Sequence, residues 1–365
     1  MRDERLTKLA DMMVRYSAGV REGEQVLITG GAAAAPLIRE VYASVLDAGA
    51  VPVTLVSLPG LQEVFFEHAR DAHYQKTPAI MQSIYEQADA FVQIMAPENT
   101  RALSGVDPKK QRALALRDKH LTDLVIERDR WILTLYPTNA LAQESEMSLR
   151  EYEEFVFSAL ALDREDPASF WRARSSEQRR LAERLERARE VRIVGPQTDL
   201  TLSVEGRKFL EDSGQHNLPC GEIFTGPVED SAEGRIYFGV PTAVGGREVS
   251  GVSLTFREGR VVEASAEKGE EYLLSMLDTD EGARYLGELG IGTNYEIPRA
   301  TRSILFDEKL GGTVHLALGQ SYSQTGGRNS SGVHWDLICD LRQGGELYAD
   351  GELLQKDGRF VGFEL

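Results

Sequence analysis

Residues 23–58, GEQVLITGGAAAAPLIREVYASVLDAGAVPVTLVSL, decide the fold of the first half of the chain. The apolar run 26–28 ends at a threonine and two glycines, and apolar side chains then recur at helical spacing through residues 37–46. A second apolar run, VPVTLV, begins at Val51. This order of strand, helix and strand predicts a parallel βαβ unit with a tight turn after its first strand.

Two further apolar runs extend this unit into a sheet. AFVQIM (90–95) and WILTLY (131–136) each follow a helix-like region and precede a loop that contains proline, as buried parallel strands do. The highly charged segment 175–189, SSEQRRLAERLERAR, indicates a solvated linker helix. We therefore predict an open α/β sheet domain over residues 1–190. Its glycine pair after the first strand fits neither common nucleotide-binding motif, which favours a simple turn there.

The sequence changes character after Glu190. Short strand-like runs are separated by glycine, proline and aspartate, residues 257–264 (REGRVVEA) indicate a hairpin, and one helix is expected around residues 269–289. The fold class is thus α/β, with a second, mostly β (α+β) domain over residues 191–365.

Composition excludes several classes of protein. The 365 residues carry 41 Lys and Arg against 58 Asp and Glu, a net charge of −17, which opposes binding to nucleic acid or to an anionic membrane surface. No apolar stretch approaches the roughly 18 residues that a membrane span needs. The first twenty residues form a charged amphipathic pattern without a signal-peptide core, and there are only two cysteines. We expect a cytoplasmic protein.

Two histidines lie in strand-like alternation. In residues 313–318, TVHLAL, the apolar side chains share one face and His315 points to the other. In residues 333–337, VHWDL, His334 and Asp336 share the polar face, roughly 6.5 to 7 Å apart along the strand. Both side chains can reach one metal ion. A buried histidine oriented by a neighbouring carboxylate is the simpler interpretation of this pair alone.

Two glutamates lie in apolar, glycine-containing surroundings. Glu222 follows Cys220-Gly221, and Glu288 lies within LGELGIG (286–292). Buried acids are costly unless they pair with a cation, although each could instead lie at the rim of a loop. Together with the two histidines and Asp336 they make the ligand set expected for a pair of divalent first-row metals, which is suited to hydrolysis.

Four stretches resemble the successive metal-site motifs of the aminopeptidase T family, which also includes aminopeptidase S. Their order and spacing match across the second domain, and the N-terminal region is similar as well. The four stretches are NLPCGEIFTGP (217–227), YLGELGIGTN (285–294), TVHLALGQSY (313–322) and SGVHWDLICDL (331–341).

The resemblance implies a dinuclear exopeptidase that binds two divalent ions, Zn, Co or Mn, per subunit. A metal-bound hydroxide would attack the first peptide carbonyl of a short peptide with a free N-terminus, and Tyr322 would donate a hydrogen bond to the oxyanion. No separate general base stands out, so a ligand carboxylate such as Glu222 is also a candidate catalytic residue. The resemblance further implies a homodimer. The implied metal ligands are Glu222, Glu288, His315, His334 and Asp336.

Two other interpretations stay open from the sequence. Dihydroxypyridine dioxygenases have a similar fold, and His315, His334 and Asp336 would supply their mononuclear Fe(II) site, but that enzyme does not need the two glutamates. A protein with purely structural metal ions is the second alternative, although structural zinc sites are usually rich in sulfur. Without the resemblance, Tyr322 would be interpreted as a tyrosine at the rim of the site.

Overall fold

The computed structural model describes residues 3–365, and the chain divides into two compact units. Among the described residues, the first unit comprises 3–170 and 214–219, and the second comprises 171–213 and 220–365. No helix within residues 3–365 is both long and apolar enough to cross a membrane. The predicted N-terminal helix begins at Glu4, so residues 1 and 2 of that prediction lie outside the described residues.

The elements are numbered in chain order. The helices are α1 (Glu4–Asp11), α2 (Ala35–Asp47), α3 (Leu61–His68), α4 (Ala79–Gln87), α5 (Pro108–Arg128), α6 (Asn139–Glu144), α7 (Leu149–Ala159), α8 (Pro167–Leu185), α9 (Glu270–Leu277) and α10 (Ile304–Asp307). The strands are β1 (Gln25–Gly31), β2 (Val51–Ser57), β3 (Ala90–Met95), β4 (Trp131–Leu135), β5 (Glu190–Gly195), β6 (Thr198–Ser203), β7 (Leu210–Asp212), β8 (Asn217–Leu218), β9 (Glu222–Thr225), β10 (Glu233–Phe238), β11 (Thr242–Val244), β12 (Arg247–Val249), β13 (Val252–Arg257), β14 (Arg260–Ser265), β15 (Leu286–Gly292), β16 (Thr313–Gly319), β17 (His334–Asp340), β18 (Glu346–Ala349), β19 (Glu352–Lys356) and β20 (Arg359–Phe360).

The first unit contains the predicted parallel sheet. Its strand order is β2-β1-β3-β4-β8, and all neighbours in it are parallel. The βαβ unit predicted from residues 23–58 corresponds to β1, α2 and β2, and the two later apolar runs form β3 and β4. Strand β8 reaches this sheet from far along the chain, and Thr134 Oγ1 donates a hydrogen bond to the Leu218 carbonyl at 2.8 Å. The predicted α/β class is confirmed.

The second unit is built mostly from antiparallel strands. One sheet has the order β14-β13-β10-β6-β5-β18-β19-β20, and a second has the order β17-β16-β15-β9-β7. The predicted hairpin corresponds to β13 and β14. Apolar side chains from both sheets form one core, to which α8 contributes Leu181 and Leu185. Helix α8 is therefore not a fully solvated linker, because one of its faces is buried in this unit.

The helix predicted over residues 269–289 is wrong in its second half. Helix α9 ends at Leu277, and the segment that carries Glu288 is strand β15, paired with β9 on one side and β16 on the other. Leu286 and Leu289 are three positions apart, a spacing that a helix also allows, but the three glycines of this segment disfavour a helix by about 1 kcal/mol each. The strand conformation buries the same leucines between two neighbouring strands, and this tertiary pairing decides the outcome.

Candidate metal centre

The site lies on one face of the sheet β17-β16-β15-β9-β7, called here the site sheet. Leu289, Leu316 and Leu337 are paired across its three adjacent strands and point into the core of the second unit. Because side chains alternate along a strand, the residues between these leucines point to the opposite face. His315 and Asp336 are two of them, as the alternation in the sequence predicted.

The opposite face combines large polar side chains with very small neighbours. Each of the five predicted ligands has a glycine or an alanine as a direct neighbour on one side, and at Gly290 the His315 ring fills the space that a side chain would take. The pairs are Glu222 with Gly292, Glu288 with Ala317, His315 with Gly290, Asp336 with Ala317, and His334 with Gly319.

The first group of converging side chains contains Glu222, Glu288 and His315. The His315 Nε2 atom is 3.2 Å from Glu288 Oε1 and 3.4 Å from Glu222 Oε2. All three side chains are buried, and their ligand atoms lie within 4.8 Å of one another. This is the geometry of three side chains directed at one point.

The second group contains Glu288 again, with His334 and Asp336. The His334 Nε2 atom is 3.6 Å from Glu288 Oε2 and 3.5 Å from Asp336 Oδ2. At the other side of the ring, Nδ1 lies 2.8 Å from the Gln320 carbonyl oxygen. Since a carbonyl oxygen can only accept a hydrogen bond, Nδ1 is the donor. In the neutral ring Nε2 then carries a lone pair, and this lone pair faces the carboxylates.

The donor set fits divalent cations. Within residues 3–365, Glu222 Oε2 and Asp336 Oδ1 are buried oxygens without a hydrogen-bond partner, and both belong to these groups. Burial lowers the pKa of His315, but the hydrogen bond to Glu288 and the charge of Glu222 raise it to about 9. Positive charge is therefore strongly favoured here. Imidazole and carboxylate ligands suit zinc, manganese and cobalt.

Tyr322 lies beside the second group. Its ring packs edge-on against His334, with centroids 5.3 Å apart, and against Phe224 at 5.7 Å. Although 41% of the residue is exposed, crowding by protein atoms and the charge of Glu288 raise the pKa of its phenol well above the ordinary value. The phenol therefore stays protonated at neutral pH and is able to donate a hydrogen bond.

The loop after Tyr322 is held by side chains rather than left free. Asn329 Nδ2 donates to the Gly319 carbonyl at 2.6 Å and to the Gly282 carbonyl at 2.9 Å. Asp280 accepts from the Gly332 amide at 2.7 Å. The Asn329 amide group thus fixes the loop that carries Tyr322, so its role is positional.

Two charged residues of this site were not found from the sequence. Glu308 forms a further group with His315 and Asp336, and Lys309 Nζ binds both Glu222 Oε1 and Glu308 Oε1. Burial lowers the pKa of Lys309, but Glu222 and Glu308 raise it well above its ordinary value. In the sequence, the charged run Asp307-Glu308-Lys309 resembles a solvated turn. It reaches the site only because strand β16, which follows it, pairs within the site sheet.

Comparison with curated proteins relates the whole chain to bacterial aminopeptidases. Aminopeptidase 2 of Geobacillus stearothermophilus is 29% identical over 98% of this chain and 95% of its own length. Aminopeptidase T of Thermus thermophilus is 29% identical over 98% of both chains.

Solved structures agree with this relationship. The wild-type AmpT structure from Thermus thermophilus superposes with a TM-score of 0.86 at 26% identity, covering 98% of this chain and 99% of the other. The 2,5-dihydroxypyridine dioxygenase of Pseudomonas putida KT2440 reaches a TM-score of 0.59 at 14% identity over 98% of this chain and 97% of its own. That second similarity extends to the fold alone. The family model of the thermophilic metalloproteases (M29) matches residues 2–360, which confirms the resemblance seen in the sequence motifs. This chain belongs to that family.

Proposed function

We propose that this metallopeptidase is an aminopeptidase that removes N-terminal residues from short peptides at a site for two divalent ions, Zn, Co or Mn. The observation that carries the proposal is that two groups of three ligands converge on one shared carboxylate, Glu288. Glu222 and His315 complete the first group, and His334 and Asp336 complete the second. The names of the relatives support the exopeptidase activity.

The two ions, when bound, would acidify a water molecule to a hydroxide nucleophile and polarise the peptide carbonyl. The side chains of this chain have separate tasks. Glu308 lies at the site but is not a member of either group that contains Glu288. Burial raises the pKa of its carboxyl group. We therefore assign Glu308 the role of proton acceptor. Glu222, named from the sequence as a candidate for this role, is assigned only as a ligand.

The test of this function is hydrolysis of leucine p-nitroanilide before and after removal of metal by a chelator. Activity is expected to disappear with the metal and to return when Zn²⁺, Co²⁺ or Mn²⁺ is added. N-acetyl-leucine p-nitroanilide, which lacks the free amine, is the matched control substrate and should stay intact. Full activity in stripped protein would rule the proposal out. Oxygen consumption with Fe²⁺ and a dihydroxypyridine would favour the dioxygenase instead.

Tyr322→Phe is expected to lower kcat on the order of 100-fold while KM changes little, because the phenol donates only to charge that develops in the transition state. Steady-state kinetics on leucine p-nitroanilide measure both constants. Tyr237→Phe is the matched control, since Tyr237 donates to Glu267 at the surface of the same unit. A rise in KM as large as the fall in kcat would make Tyr322 a binding residue.

We also propose a cytoplasmic homodimer. Both cysteines are free and buried, as in a reducing compartment. Strand β2 is the edge of its sheet, and it exposes Val51, Val53 and Val56, with Leu58 exposed next to it. Exposed apolar edges of this kind favour self-association. Light scattering on the eluting protein measures the mass, and a monomer of 40.5 kDa at micromolar concentration would contradict this part.

A further inference from the structure

Lys309 is a fully buried lysine in the candidate metal centre. Its exposed fraction is 0%, and its backbone is fixed on both sides of the residue. The Lys309 amide donates to the Phe306 carbonyl at 3.1 Å, and its carbonyl accepts from the Asn294 amide at 2.9 Å. The point from which the side chain starts is therefore fixed, and no part of the ammonium group is available to a substrate.

Carboxylates surround this ammonium group. Lys309 Nζ donates to Glu222 Oε1 and to Glu308 Oε1, the latter at 2.6 Å, and it lies 3.9 Å from Asp212 Oδ2. Asp212 and Glu222 are direct partners across strands β7 and β9. A buried ammonium is tolerated only when such partners compensate the loss of water. The Lys309 ammonium is thus a fixed positive charge beside the predicted metal ligands.

The two glutamate ligands consequently differ in what they offer to a metal ion. One oxygen of Glu222 is occupied by Lys309, and only the buried Oε2 faces His315, at 3.4 Å. Glu288 directs Oε1 at His315 and Oε2 at His334. Glu222 is thus limited to one oxygen and one group, whereas Glu288 spans both groups.

We propose that Lys309 is a positioning residue that keeps Glu222 a single-oxygen ligand and leaves Glu288 as the carboxylate shared by the two ions. This inference rests on the proposed two-ion function. The charges agree with it, because five ionised carboxylates and one ammonium give −5 + 1 = −4, which two divalent cations neutralise. The five carboxylates are Asp212, Glu222, Glu288, Glu308 and Asp336.

The test titrates chelator-stripped wild type and Lys309→Met with Co²⁺, by calorimetry and by visible absorption. Without the ammonium, both oxygens of Glu222 become available. We expect the first Co²⁺ to bind about tenfold more tightly, because a positive charge has been removed next to it. We also expect weaker d–d absorption, because the additional oxygen raises the coordination number of the ion. Lys268→Met is the matched control, since Lys268 pairs with Glu248 at the surface.

A purely structural lysine would produce a different result. Loss of affinity together with an unchanged d–d spectrum, or no change in either quantity, would overturn the proposal for Lys309. If Lys309→Met does not fold, Lys309→Met/Glu308→Gln restores the charge of −4 and still frees Glu222, so the same spectral change is expected there. A wild type that binds fewer than two ions overturns the two-ion function, independently of what the Lys309 variants show.

Discussion

Glu288→Gln is expected to lower kcat/KM at least ~10³-fold, about 4 kcal/mol of transition-state stabilisation, and to empty the metal centre. Glu288 belongs to both the first and the second group of the candidate metal centre. Its Oε1 lies 3.2 Å from His315 Nε2, and its Oε2 lies 3.6 Å from His334 Nε2. A glutamine keeps the shape but loses the charge, and it replaces one ligand oxygen by an NH₂ group that repels a cation. A single substitution therefore weakens both positions together.

The measurement combines kcat/KM for leucine p-nitroanilide with bound metal per chain after dialysis. Glu271→Gln is the matched control, because Glu271 is an exposed glutamate on α9 of the same unit. Glu222→Gln should lose less bound metal than Glu288→Gln, since Glu222 takes part in only one of these two groups. A Glu288→Gln protein that retains two ions and wild-type kcat/KM would remove Glu288 from the proposed site.

Gly290→Ala is expected to abolish metal binding through one added methyl group. A Cβ atom on Gly290 would lie 1.9 Å from His315 Nε2 and 2.1 Å from its Cε1, far inside van der Waals contact. The ring cannot stay in place, and the leucines next to both residues, Leu289 and Leu316, are packed in the core and hold the two strands together. The imidazole must turn away from Glu222 and Glu288.

We expect the Gly290→Ala protein to lose activity on the order of 10³-fold, like removal of the ligand itself. Calorimetric titration with Zn²⁺ measures the loss of binding, and the melting temperature without metal reports the cost to the fold. Gly195→Ala is the matched control, since Gly195 also lies in a strand and its added Cβ would meet no atom closer than 3.8 Å. Unchanged Zn²⁺ affinity in Gly290→Ala would show that His315 does not hold metal.

The parts of this molecule that follow from local pattern were predictable. The alternation around His315 and His334 gives the direction of each side chain, because a period of two fixes the faces of a strand whatever its partners are. The βαβ unit at residues 23–58 is similarly local. The residue types suggested one ligand set although no single segment contains all five residues, and the motif resemblance then supported that set.

The remaining features depend on pairing between distant segments. The leucines of residues 286–292 are compatible with a helix until β9 and β16 are placed on both sides of them. Lys309 and Glu222 are 87 positions apart in the sequence, so a buried ion pair between them leaves no local pattern. Glu308 becomes part of the site for the same reason.

The origin of strand β8 affects how the chain folds as it is synthesised. Residues 214–219 belong to the first unit, yet 43 residues of the second unit, 171–213, leave the ribosome before them. Until then β4 presents an open edge at Leu133 and Thr134, where Asn217 and Leu218 will pair. An open parallel edge is a site for association with other nascent chains. A fragment that stops at residue 170 would keep that edge permanently, so the first unit should be produced with residues 214–219 joined to it.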